Sequence, residues 1–243
     1  PKWYDFQKIG DDQGPQPTDV ADIIARIATA APVVLVAPTI EQNMGGENAS
    51  DAPSPGLASR NHPDILNAKQ RQIFDRVIAW HRQLLYSRAD PSIDSPPPLF
   101  ILVHGPPGTG KTKVANVIAH ALPCATCAPT GIAASLFLNA VTLHSLFGLP
   151  ADERQPLQPL SVERLSTLKA HLEGIDVILM DEVSFVSPLT LNRINQRLIQ
   201  IRDCDRPFGG MAMVVSPVCL FTAVGLECML CVLHCLLDLS TQQ

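Results

Sequence analysis

The stretch GPPGTGKT, Gly105 to Thr112, joins an apolar run, LFILVH, to a helix-forming one, KVANVIAHAL. Its residue types suit the capture of a phosphate chain. Gly105, Gly108 and Gly110 open backbone conformations closed to other residues, so the loop can turn its N–H groups inward around phosphate oxygens. Lys111 adds a point charge for β and γ phosphates, Thr112 offers a hydroxyl to Mg2+, and the N-terminus of the following helix contributes its dipole. Pro106, Pro107 and Thr109 complete the candidate loop. A second chemical pair lies in IDVILMDEVS, where Asp181 and Glu182 follow four apolar residues. At the end of a strand neighbouring the phosphate loop, Asp181 would hold Mg2+ through water. Glu182 would orient or deprotonate the water that attacks the γ phosphate in line. The second acid favours hydrolysis over binding alone.

These groups need a scaffold whose strands deliver loops to one edge. From residue 99 onward, apolar runs alternate with helical periodicity. The pattern predicts strand 99–103, helix 111–121, strand 124–128, helix 130–138, a loop region, helix 160–171, strand 175–180 and helix 188–202. Val114, Val117, Ile118, Ala121 and Leu122 form one apolar face of the helix after the phosphate loop. Such alternation means an α/β fold, a parallel sheet with helices on both faces, and the phosphate-loop signature between its first strand and helix makes it of P-loop NTPase type. Upstream, LNAKQRQIFDRVIAWHRQLL sets Ile73, Val77, Trp80 and Leu84 at helical spacing, and the turn-rich SRADPSIDSPPP closes that helix. Residues 1–62 read as an N-terminal extension. Within it, VADIIARIATAAPVVLV reads as an amphipathic helix plus an apolar strand, and GGENASDAPSPGLASRNHP as a disordered linker.

An apolar content of 46% over 243 residues can furnish the core of one large domain, or of one domain with extensions. The net charge of −5 is confined to residues 1–59, which hold three Lys/Arg against eight Asp/Glu; residues 60–243 hold fifteen of each. A neutral body excludes nucleic-acid binding through a global field and leaves only a local groove. Residues 60–113, around the phosphate loop, carry eight Lys/Arg and four Asp/Glu. Seven cysteines at no scaffold spacing, and a start at Pro1 without an apolar leader, point to a reducing interior compartment and to a fragment.

Several stretches between about Leu66 and Gly210 resemble the PIF-type (petite integration frequency) DNA helicases, relatives of RecD in helicase superfamily one. LNAKQ resembles the family's adenine-reading motif, in which Gln70 would hydrogen-bond the base; residue type alone leaves Gln70 open as an ordinary exposed helix position. CAPTGIAASLF is similar to motif Ia, where Thr130 and Gly131 would touch the DNA backbone. VTLHSLFGLP resembles the next DNA-contacting element, with Thr142, His144 and Ser145 matching. His144 also fits a structural histidine, and Phe137 and Phe147 fit packing better than base stacking. VILMDEVSFVS resembles motif II, and PFGG the lead-in to motif III. The resemblance implies a RecA-like first motor domain over residues 63–210, with ATP and Mg2+ as cofactors. It also implies single-stranded or forked DNA as partner, and no small-molecule substrate other than ATP. The implied setting is the nucleus, with the mitochondrion open as a second compartment, in DNA repair, recombination and telomere maintenance.

The family pattern should continue from FGG into a strand ending in Gly-Asp-x-x-Gln, then into a second RecA-like domain carrying an arginine finger. This chain instead reads MAMVVSPVCLFTAVGLECMLCVLHCLLDLSTQQ, with Arg206 its last Lys or Arg. The expectation is an incomplete form, the first motor domain only, incapable of unwinding, with residues 211–243 an apolar tail unrelated to the family. Residues 207–226 carry no charge and could span a membrane, but Pro217 lies mid-segment and no basic flank follows. Cys124 and Cys127 fall in a strand and read as buried small residues, not a redox pair. Cys228, Cys231, His234 and Cys235 are spaced too tightly for a zinc site without a distant second pair. Two other readings stay open: a P-loop ATPase switch or binding module without helicase activity, and a nonfunctional gene fragment.

Overall fold

The structure, a computed structural model, describes residues 34–36, 62–137 and 139–217. The linker, the helix of the extension, the tail beyond 217 and its Cys/His group lie outside the described residues. Strand β1 is Val34–Val36, helix α1 Ala68–Ala89, β2 Phe100–Val103, α2 Lys111–Ala121, β3 Cys124–Ala128, α3 Gly131–Ser135 and β4 Val141–Thr142. There follow α4 Leu143–Phe147, α5 Val162–His171, β5 Val177–Met180, α6 Pro188–Arg202 and β6 Ala212–Val215. The strands form one sheet in the order β1-β2-β6-β5-β3-β4, and every pairing is parallel. The helix expected at 130–138 is the shorter α3.

Alternation along the strands divides the core in two. Phe100, Leu102, Cys127, Ile178, Met180, Met213 and Val215 point to one face, where they meet Leu143, Phe147, Leu168, Leu191, Ile194 and Leu198 of α4, α5 and α6. Ile101, Val103, Val177, Leu179, Ala212 and Val214 point to the other, against Ile73, Val77, Trp80 and Leu84 of α1 and Val114, Val117 and Ile118 of α2. The four residues predicted as the inner face of α1 are all buried. Phe147 is wholly buried and Phe137 nearly so, which gives both a packing role. Cys124 and Cys127 side chains fall in opposite core clusters, and burial pushes both thiols up to about 12, so they pack and do no redox chemistry.

At the edge where the strands begin, Asp176 is buried to 2% exposure and holds three elements together. It accepts two hydrogen bonds from Arg88 at the end of α1, at 2.7 and 2.6 Å, and one from Arg202 at the end of α6, at 3.0 Å; His81 Nε2 lies 3.7 Å away. Burial works to raise the Asp176 pKa, but the Arg88 hydrogen bonds and the charges of Arg88, Arg202 and His81 overcome it and hold the carboxyl below its ordinary value.

One boundary moves. Residues from 211 onward were expected to be a tail foreign to the fold, yet Ala212–Val215 form β6 in the middle of the sheet, hydrogen-bonded to β2 on one side and β5 on the other. The turn Pro207–Gly210 delivers the chain there. Phe208, fully buried, packs edge-on against Phe100 with centroids 5.5 Å apart, and its N–H donates to Asn195 Oδ1 at 2.7 Å. Gly209 sits at φ +62°, where a Cβ would lie 2.6 Å from the Leu198 carbonyl oxygen. An uncharged apolar run is what a central parallel strand covered on both faces requires, so composition alone could not separate it from a foreign tail. Among the described residues no helix is long and apolar enough to cross a membrane.

Ending the chain at Gly210 therefore removes the sheet's centre, where fully burying a single Val or Met side chain stabilises by about 1.5–3 kcal/mol. The shortened chain should lose its cooperative thermal transition, read by circular dichroism. An unchanged melt would place β6 outside the folding unit.

Candidate functional site

In a parallel sheet the strand ends converge on one edge, and the candidate chemistry collects there. The phosphate loop leaves β2, the acidic pair leaves β5, and Ser216 leaves β6 between them. Gly108 and Gly110 each take φ +82°; Gly105 needs no such conformation, so two of the three glycines carry the turn. Thr109 closes the loop on itself, its N–H and Oγ1 donating to the Pro106 carbonyl at 3.4 and 2.8 Å. Lys111 is the first residue of α2, and its Nζ donates to the carbonyls of Gly105 at 2.8 Å and Pro106 at 3.2 Å. The ammonium thus lies inside the loop, where a phosphate chain would exchange weaker neutral acceptors for charged ones. Thr112 follows it, partly buried, on the first turn of α2.

Gln70 is buried to 5% exposure, against the reading of an ordinary exposed helix position. Its Oε1 accepts the Asn67 N–H at 3.0 Å while Asn67 Oδ1 accepts the Gln70 N–H at 2.9 Å, a capping box that starts α1. Its Nε2 donates to the Thr109 carbonyl at 2.9 Å. One side chain therefore ties the helix start to the phosphate loop. His104, just before the loop, keeps a buried Nδ1 without a partner; burial, and then the Lys111 ammonium, holds its pKa below the ordinary histidine value, so it stays neutral beside the lysine.

The acidic turn is held tightly. Asp181 donates its N–H to the Cys127 carbonyl at 3.1 Å, extending the β3–β5 ladder. Asp181 Oδ1 accepts the Glu182 N–H at 2.9 Å and the Ser216 hydroxyl. Glu182 adopts φ 57° and ψ 34°, a left-handed conformation that costs a non-glycine residue about 1–2 kcal/mol and that the surrounding bonds must sustain. Burial first, and the Asp181 charge second, raises the Glu182 pKa above the ordinary glutamate value. A carboxylate so raised is a stronger base than a solvated one, which fits proton removal from water.

The candidate DNA contacts cluster at the same edge. Thr130 and Gly131 follow β3, and Thr142 ends β4 in register with Ala128. The structure assigns the two threonines a further role. Thr130 Oγ1 accepts the Ala133 N–H at 3.1 Å and Thr142 Oγ1 the Ser145 N–H at 3.3 Å, so each caps a short helix. Gly131 faces open space, Ser145 is exposed and His144 half-buried. Ile132 of α3 and Leu136, just after it, are 82% and 70% exposed.

A strand, a glycine loop closed by lysine and threonine, a helix, and an acidic pair one strand removed define a P-loop nucleotide-binding domain of RecA type. The chain belongs to the PIF1-like helicase family, whose sequence model matches residues 65–217 and so includes β6. It is 37% identical over 122 residues to the ATP-dependent DNA helicase Pif1 of Psychrobacter sp. (strain PRwf-1), covering 48% of this chain and 18% of that one. It is 23% identical over 214 residues to the ATP-dependent DNA helicase PIF1 of Homo sapiens, covering 83% of this chain and 31% of that one. Unliganded Pif1 from Bacteroides sp. matches with TM-score 0.46 and 28% identity over 63% of this chain and 31% of its own. Pif1 helicase from Candida albicans matches with TM-score 0.46 and 25% identity over 63% and 32%. The chain thus spans under a third of the length of these relatives.

Two variants probe the site. Gly110→Ala forces a Cβ to 2.6 Å from Gln70 Nε2 at a positive φ, and should weaken ATP binding at least tenfold, measured by fluorescent-nucleotide titration. For Glu182, hydrolysis by the unaltered chain should fall as pH drops through a value above the ordinary glutamate range, because protonation removes the base. Glu182→Gln should bind nucleotide and lose both the hydrolysis and that acid limb.

Proposed function

We propose that this chain is the ATP-binding motor domain of a PIF1-like DNA helicase, binding Mg-ATP at the β2–β6–β5 edge and DNA beside β3 and β4. The observation that carries the reading is the pairing of the Gly108–Gly110 loop and Lys111 with Asp181 and Glu182 across a single intervening strand. The backbone N–H groups of residues 108–112 and the Lys111 ammonium bind the phosphates, and Gln70 reads the adenine from the helix it starts. Glu182 accepts a proton from the attacking water as its oxygen bonds to the γ phosphorus and the bond to ADP breaks. The donors fit Mg2+: the Thr112 hydroxyl and the Asp181 carboxylate are hard oxygen ligands, and the carboxylate is already oriented by two hydrogen bonds. Bound there, the ion would neutralise charge on the phosphate oxygens.

Single-stranded or forked DNA is the proposed partner. Support comes from the shared edge of Thr130, Gly131, Thr142, His144 and Ser145, and from Ile132 and Leu136, whose exposed apolar surface can pack bases. The proposed setting is nuclear DNA maintenance, in repair, recombination or telomere upkeep, with the mitochondrion as a second compartment. Arg206 hydrogen-bonds Ser95 Oγ at 3.1 Å and the Pro96 carbonyl at the edge away from the phosphate loop.

Purified chain should bind Mg-ATP, and Lys111→Ala should lose that binding. Single-stranded DNA should stimulate hydrolysis of the bound ATP. Nucleotide binding without any response to DNA would favour an ATPase switch, and no binding at all would sink the proposal.

A further inference from the structure

Ser216 stands at the end of β6, in the space between the phosphate loop and the acidic pair. Three of its groups engage the acidic turn. Its N–H donates to the Met180 carbonyl at 2.9 Å, its carbonyl accepts the Val183 N–H at 3.0 Å, and its hydroxyl donates to Asp181 Oδ1. Ser216 thus brackets Asp181 and Glu182 from both sides in the chain. It is 6% exposed and lines, with Lys111, Phe137 and Val215, a narrow crevice that opens beside the phosphate loop.

The terminal torsion of an aspartate is soft, so a carboxylate that must present a given oxygen to a metal has to be held by its neighbours. Here two donors, the Glu182 N–H and the Ser216 hydroxyl, converge on one oxygen of Asp181. Turning the carboxylate breaks both bonds, each to a charged acceptor and therefore strong. The Glu182 N–H belongs to the same turn and moves with it. The Ser216 hydroxyl comes from a separate strand and references the carboxylate to the sheet.

We propose that Ser216 is a positioning residue for the metal-holding carboxylate, fixing Asp181 Oδ1 so that the carboxylate meets a nucleotide-bound Mg2+ without reorienting. The proposal rests on the nucleotide-site reading above. The test uses the full 243-residue chain and a fluorescent ADP, titrated in EDTA and in Mg2+. The quantity read is the factor by which Mg2+ tightens binding for each protein. Ser216→Ala should reduce that factor on the order of tenfold, and Ser216→Thr, which keeps the hydroxyl, should restore it. Ser216→Cys, close in size with a weak donor, should behave as the alanine variant does and serves in its place if that chain fails to fold. A Mg2+ factor equal to that of the unaltered chain overturns the proposal. So does a loss of Mg2+-free affinity as large as the loss in Mg2+, which marks a general structural role. If the unaltered chain binds no nucleotide, the site reading falls first and this inference with it.

Discussion

The phosphate loop and the acidic pair leave from strands that do not touch. Between β2 and β5 runs β6, and the backbone ladders on its two sides set their separation at two strand spacings, roughly 10 Å. Everything chemical depends on that wedge. It puts Lys111 on one side and Asp181 and Glu182 on the other. It also supplies Ser216, whose backbone and hydroxyl lock the acidic turn to the sheet. The anchor for the wedge lies at the opposite edge, where Phe208 packs on Phe100 and the Pro207–Gly210 turn closes on α6.

The two edges of the sheet do different work. Where the strands begin, Asp176 gathers Arg88 and Arg202 into a charge cluster that fastens the ends of α1 and α6. Removing Asp176 would take from both arginines the carboxylate that joins them. Where the strands end, Lys111 rests on loop carbonyls that a ligand could replace, and Asp181 is oriented by the Glu182 N–H and the Ser216 hydroxyl. The ion-paired cluster sits at one end and the candidate site at the other, with about four residues of strand between. The left-handed Glu182 belongs to the reactive end, where strain is tolerated because neighbouring ladders over-determine the turn.

Gln70 shows how local and distant demands meet in one side chain. Its carbonyl oxygen completes the capping box of α1, and its amide nitrogen holds the phosphate loop at Thr109. Gly110 is glycine for two reasons at once, its positive φ and the Gln70 amide lying where a Cβ would go. A nucleotide whose base engaged Gln70 would therefore meet a residue already wired to the loop that holds its phosphates.

Much of this protein was legible in the chain itself. GPPGTGKT, the run before Asp181 and Glu182, and the alternation of apolar strands with amphipathic helices determined the P-loop fold and the residues at its chemical edge, because backbone freedom, charge and periodicity are properties of short segments. The same locality explains what was missed. Residues 211–215 are as apolar as a foreign tail, and only pairing on both flanks distinguishes a central strand from one. Thr130 and Thr142 gave no sign that they cap helices until the turns after β3 and β4 were in place. Ser216 carried no motif. Its hydroxyl reaches Asp181 across 35 residues of sequence, and only the closure of the sheet, which sets β6 beside β5, brings the two together.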